Sequence, residues 1–74
     1  MTQEQARQEA ERRVIRYYFL PRQQAIRCDL ISINREIELY SELIKRYDVG
    51  VSAEGFVNSK LTDLNQMKDE LLKM

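Results

Sequence analysis

No histidine and no tryptophan occur in this chain, and cysteine and proline appear once each. Each scarcity removes a class of chemistry. Without histidine there is no histidine general base, no catalytic triad built on imidazole and no imidazole metal ligand. The lone Cys28 can form no internal disulfide. Nor does one thiol make a structural zinc site, which asks for four nitrogen or sulfur ligands at defined spacings. Glycine is limited to Gly50 and Gly55, which are spaced for a turn and match no phosphate-cradling fingerprint. The longest uninterrupted apolar run, Tyr17 to Leu20, falls far short of the ~20 residues that a membrane-spanning helix needs. No charged, apolar and small-residue signal segment opens the sequence, and a single thiol suits a reducing compartment, so the expected location is the cytoplasm.

Carboxylates do recur, with Glu38 and Glu42 one helical turn apart and Asp69 beside Glu70. Di-metal sites in helical bundles combine inward glutamates with a Glu-x-x-His pair, and the histidine is missing. Glu42 instead stands three and four residues before Lys45 and Arg46, the spacing of a solvated charged face. Cys28 has no identifiable base or anion-stabilising group near it in sequence and reads as a free thiol. The expectation is a non-enzyme with no cofactor, no metal and no small-molecule substrate.

What the chain does contain is helix. Between Ile26 and Tyr47 the apolar positions Ile26, Leu30, Ile33, Ile37, Tyr40, Ile44 and Tyr47 step alternately by four and three. That 3.5-residue period draws one line along a helix, and such a line needs a partner helix. Tyr40 and Tyr47 stand where a pure coiled coil prefers leucine, and their hydroxyls need an outlet, so a bundle edge fits better than a long zipper.

A first helix over about residues 3–20 is expected from the capping box formed by Thr2 and Gln5, with Ala6, Ala10, Val14 and Tyr17 recurring at helical spacing. Pro21 lacks an N–H and pushes Leu20 away from helical dihedrals, so the helix breaks or kinks there, unless one bent helix runs on to residue 47. A second helix is expected over about 22–47. Gly50 then suits a helix stop and Ser52 an N-cap, which places a third helix at about 53–73 with Val57, Leu61, Leu64, Met67 and Leu71 inward. The short connection makes the second and third helices antiparallel. Beside the seam, Ala25, Ile31, Leu39 and Leu43 add a second apolar stripe, as expected where a helix meets two neighbours. The fold class is therefore all-α, one domain: an antiparallel, coiled-coil-like hairpin plus an N-terminal helix, packed as a dimeric helical bundle. A monomeric three-helix fold is the alternative.

Formal net charge is zero, yet residues 1–28 carry six arginines against Glu4, Glu9 and Glu11, while residues 29–74 carry six basic and nine acidic groups. Charge asymmetry of this kind points to a partner. It peaks between Arg12 and Arg27, an acid-free stretch holding Arg12, Arg13, Arg16, Tyr17, Tyr18, Phe19, Arg22 and Arg27. Guanidinium groups with interleaved rings suit phosphates and bases. The same residue types dominate protein hot spots. They could equally pack the first helix onto the hairpin, with Val14, Tyr17 and Tyr18 inward and the arginines along the rim.

The segment Arg13-Val14-Ile15-Arg16-Tyr17-Tyr18-Phe19-Leu20, followed by the Ile33–Tyr47 helix and a Val/Leu-patterned last helix, resembles small helical proteins of phages and prophages. It is loosely similar to late-gene transcription regulators of the RinA/ArpU type, which often carry a Tyr-Tyr/Phe-x-Leu segment before a helical hairpin. The resemblance covers about residues 12–47 and implies a regulator or inhibitor working in the host cytoplasm. No helix-turn-helix follows the hairpin. The function expected is a small interaction protein that binds a protein partner through the Arg/aromatic surface and self-associates as a homodimer. Nucleic-acid binding in transcription control and a purely structural coiled-coil role are the alternatives.

Overall fold

The computed structural model of the chain describes residues 1–46 and 50–74. Three helices account for nearly all of them: α1 (Gln3–Ile15), α2 (Arg22–Arg46) and α3 (Gly50–Lys73). α1 begins as its sequence dictates. The Thr2 hydroxyl accepts from the Gln5 backbone N–H at 3.1 Å, and the Gln5 side chain accepts from the Thr2 N–H at 2.9 Å. Two of the otherwise unpaired donors at the helix start are satisfied reciprocally.

α1 stops at Ile15, five residues before the expected end at residue 20. The Tyr17 N–H bonds back to the Val14 carbonyl and the Leu20 N–H to the Tyr17 carbonyl, each over three residues rather than four. This tightening winds the chain into a turn over residues 16–19. Pro21 disfavours helical geometry at Leu20, and the chain, already turning from residue 16, reverses over residues 16–21 before α2 starts at Arg22. The Pro21 carbonyl is then reused as an acceptor for the Ala25 N–H. One bent helix from residue 3 to 47 is excluded.

α3 starts at Gly50, three residues earlier than expected. Gly50 has φ +71°, a left-handed value that glycine adopts without Cβ strain. Ser52 therefore lies inside the first turn of α3 instead of capping it. Tyr47, the last position of the expected seam, falls outside the described residues.

The seam of α2 faces inward. Ile26 and Ile33 join Ala10, Val14 and Ala25 and, from α3, Leu64 and Leu71 in the central cluster, with Leu30, Ile37, Tyr40 and Met67 packed against it. Burying a side chain of this size stabilises the fold by about 1.5–3 kcal/mol, and the rows from α2 and α3 supply most of the large ones. α1 adds only small residues on its inner face, Ala6, Ala10 and Val14, which lets its backbone approach closely. Met1 lies against Asp63 at one end of α1, while Arg7 and Glu11 share a surface depression with Glu70 and Lys73 near the other. α1 thus runs alongside the C-terminal half of α3 in the same direction, and α2 runs opposite to both. At about 1.5 Å per residue α1 extends about 20 Å, and α2 and α3 about 37 Å. Among the described residues no helix is long and apolar enough to cross a membrane.

Candidate interaction surface

The eight residues expected to form one Arg/aromatic surface do not stay together. Arg13 turns inward. Its Nε donates to Asp29 Oδ2 at 2.8 Å, and its terminal nitrogens reach Glu36 at 3.4 and 3.5 Å. The Asp29 side chain is fully buried, 0% exposed. Burial alone would lower the Arg13 pKa, but the hydrogen bond and charge of Asp29, reinforced by Glu36, outweigh it and raise the pKa. Arg13 is therefore the ion that permits a carboxylate to sit between α1 and α2. Asp29 Oδ1 is buried with no hydrogen-bond partner, so Arg13 carries that carboxylate on one oxygen.

Arg12 and Arg22 are on the surface but matched by neighbouring acids. Arg12 pairs with Glu9 at 3.1 Å within α1, and Arg22 pairs with Glu11 at 3.0 Å across the α1–α2 corner. Exposed pairs of this sort contribute about 0–1 kcal/mol, but they cancel the local positive field that a phosphate backbone would feel. Arg16 and Arg27 are exposed, and neither forms an ion pair among the described residues.

The aromatics also divide. Tyr17 is half-buried and packs on the core together with Leu20. Tyr18 is 89% exposed, Phe19 69% and Ile15 66%. The alternative in which Tyr18 packs inward with Val14 and Tyr17 does not hold: the tightened turn at residues 16–19 points successive side chains to different sides, and of these only Tyr17 falls toward the core. Phe19 sits between the two tyrosines, edge-on to Tyr18 with centroids 5.7 Å apart and tilted against Tyr17 at 6.4 Å. Such edge-to-face pairs are worth about 0.5–1.5 kcal/mol and hold the rings in place before anything docks. The result is an elbow at the α1–α2 corner that presents Ile15, Tyr18 and Phe19 to solvent, with Arg16 in the same turn.

Sequence reasoning missed Asp29. One signal was available: Asp29 stands three residues after Ile26 and four before Ile33, the two most deeply buried members of the seam, so its helical position faces inward. Cys28 is half-buried. Among the described residues no three His, Cys, Asp or Glu side chains converge as a metal site would require. No family model matches this chain, and neither a curated protein nor a solved structure matches it.

Proposed function

We propose that the chain is a non-enzymatic interaction protein that binds a protein partner through the elbow at the α1–α2 corner. The carrying observation is the exposure of Ile15, Tyr18 and Phe19 within one turn of chain. Large apolar side chains scattered singly on a surface are ordinary, but three within five residues, two of them aromatic rings set edge to face, make a preformed anchor. A tyrosine and an arginine at the edge of such a patch supply directional hydrogen bonds at little ordering cost. Arg16 suits an acidic group on the partner beside an apolar pocket that accepts Phe19. In this reading the protein is a small regulator or inhibitor, as its resemblance to phage-encoded helical proteins implies, and it works by occupying a surface in the cytoplasm.

The nucleic-acid alternative is weakened by the fate of the arginines. Arg13 is withdrawn into the α1–α2 interface, and Arg12 and Arg22 face glutamates. Both readings are tested with the full chain and the double variant Tyr18→Ser, Phe19→Ser. The variant is expected to keep its helical circular dichroism while losing the proteins that the unmodified chain retains on a column. A variant that retains the same proteins, or that unfolds, overturns the elbow as the site. Titration into labelled duplex DNA and single-stranded RNA is expected to show no tight binding. Affinity that falls steeply with salt, the mark of counterion release, would return the nucleic-acid reading with Arg16 and Arg27 as its contacts.

A further inference from the structure

α1 covers only part of the hairpin. It begins with Met1 against Asp63, and from there to the Gly50 end of α3 no third helix among the described residues lies over the α2–α3 seam. The face left open is apolar. Leu39 is 63% and Phe56 59% exposed, Leu43 is exposed as well, and Tyr40 is half-buried. On α2, Glu36, Leu39, Tyr40 and Leu43 line one depression; Glu36 and Tyr40 also border a second with Lys60 of α3, at the edge where α1 begins with Met1 and Gln5. Phe56 stands one turn from Lys60, whose Nζ lies 5.8 Å from the ring centroid.

We infer that this open end is covered by the same end of a second copy, about a two-fold axis at the level of residue 41 of α2 and Phe56 of α3. A two-fold interface must be complementary to itself: what residue i touches on the partner must touch residue i in return. Antiparallel helices related by an axis at residue 41 juxtapose positions equally far before and after it. Leu39 then meets Leu43 of the second copy, and the contact is made twice. Glu36, which within its own chain also holds Arg13, comes level with Arg46 of the second copy, an exposed side chain 3.8 Å from its own Glu42. Residue 41 lies five positions before the end of α2 and Phe56 six positions after the start of α3, so in an antiparallel hairpin both stand at one height. The two Phe56 rings therefore meet on the axis that pairs the leucines and the charges. With the axis set by the leucine pair, the opposite charges of Glu36 and Arg46 and the height of Phe56 fall in the same register, which is the argument for a second copy over an unrelated helix.

The reversed direction also satisfies the space available. α1 of the second copy continues beyond the Gly50 end of the first copy's α3, in space that no described helix of the first copy fills. With both copies pointing the same way, the two α1 helices would compete for one volume. The overlap is about ten residues of two helices from each copy, at the low end for a specific interface, so dissociation is expected at roughly micromolar to tens of micromolar concentration. The elbows lie at the two far ends of this assembly and stay free. The expected homodimer is thus retained on a changed basis. The Ile26–Ile44 seam is used within the chain, and the stripe that pairs is Leu39 and Leu43 with Phe56, without Ile31.

Sedimentation velocity on the full chain, from about 1 to 500 µM (a range that brackets that expectation), tests the inference. The unmodified chain is expected to shift from monomer to dimer across the range. Leu43→Glu and Phe56→Glu are each expected to remain monomeric throughout with unchanged helicity, whereas Ile31→Glu, as exposed as Phe56 but off this face, is expected to dimerise normally. Should either glutamate variant lose helicity, Leu43→Ala and Phe56→Ala take its place, with dimerisation weakened at least tenfold. A chain that stays monomeric at the highest concentration overturns the inference. So does a dimer that survives Leu43→Glu and Phe56→Glu, or one that Ile31→Glu disrupts as fully.

Discussion

Arg13→Ala separates a buried ion from a surface contact more sharply than any other substitution in this chain. The substitution leaves Asp29 with a fully buried side chain and neither carboxylate oxygen paired, since Arg13 is the donor on Oδ2 and Oδ1 already has none. Removing one partner of a buried pair costs about 3–5 kcal/mol, because the remaining charge stays behind in a poorly solvating environment. A single core at this chain length supplies only about 3–5 kcal/mol in all, so the variant is expected to be largely unfolded. An exposed arginine that merely awaits a partner would cost at most about 0.5 kcal/mol. The reverse substitution, Asp29→Ala, is expected to be milder, about 1–2 kcal/mol, because Arg13 keeps its contact with Glu36 and can turn toward water. Replacing both, Arg13→Met with Asp29→Leu, removes the charges together and is expected to restore stability to near that of the unmodified protein. Urea denaturation followed by circular dichroism reads all four proteins. With a slope of about 1 kcal/mol per molar urea for so small a domain, a loss of 3 kcal/mol moves the midpoint by about 3 M. Folding raises the Arg13 pKa, so the stabilisation it brings is complete below the unfolded-state value and fades only as pH rises through the still higher folded value. The Arg13 contribution is therefore expected to be unchanged between about pH 6 and pH 9, far below an arginine's ordinary range. If Arg13→Ala costs less than about 1 kcal/mol, or the two single losses simply add in the double variant, the assignment of Arg13 as the counter-ion of Asp29 is wrong.

Pro21→Ala is expected to leave the helical signal at 222 nm unchanged and to lower stability by about 0.4–1 kcal/mol through a more flexible unfolded chain. A gain in helicity would mean that the proline alone prevents a continuous helix. Gly50→Ala places a side chain at φ +71° with nothing within 4 Å of the added carbon, so its cost, about 1–2 kcal/mol, comes from the backbone alone. Gly55→Ala, inside α3 with equal space around it, is expected to gain about 0.5–1 kcal/mol, and thermal melts of the pair would expose an error in either sign. Thr2→Ala removes one half of the capping box and is expected to cost about 0.5–2 kcal/mol, read as faster amide hydrogen exchange confined to the first turn of α1.

The hairpin was legible because its evidence is periodic. Seven apolar residues on one line from Ile26 to Tyr47, matched by Val57, Leu61, Leu64, Met67 and Leu71, leave little choice of pairing. The α1 start was legible for a local reason, since Thr2 and Gln5 complete a hydrogen-bond motif three residues long. What the residues could not disclose is the register of α1 against the hairpin. Arg13 and Asp29 lie sixteen positions apart on separate helices, and whether they meet depends on how many residues the reversal before Pro21 consumes. Counted as a continuous helix to residue 20, α1 presents Arg12, Arg13, Arg16, Tyr17, Tyr18 and Phe19 as a single decorated surface. Once the turn begins at residue 16, the same run divides into a buried ion, paired surface charges, a core tyrosine and an exposed elbow. The start of α3 was misplaced for a similar reason: Gly50 can end one helix or begin another, and sequence position alone does not choose.

The parallel course of α1 and α3 has a consequence for how the chain is made. Synthesis releases residues 3–15 first, yet Leu64 and Leu71, which complete the cluster around Ala10 and Val14, come roughly fifty residues later. Until then α1 is a short amphipathic segment below the length at which isolated helices persist in water, with Ala6, Ala10 and Val14 uncovered. Asp29 emerges into solvent as an ordinary hydrated carboxylate and loses that water only when α1 finally docks. Because α1 gains its larger neighbours only from α3, its docking, and with it the lasting burial of Asp29, is expected to wait on the third helix.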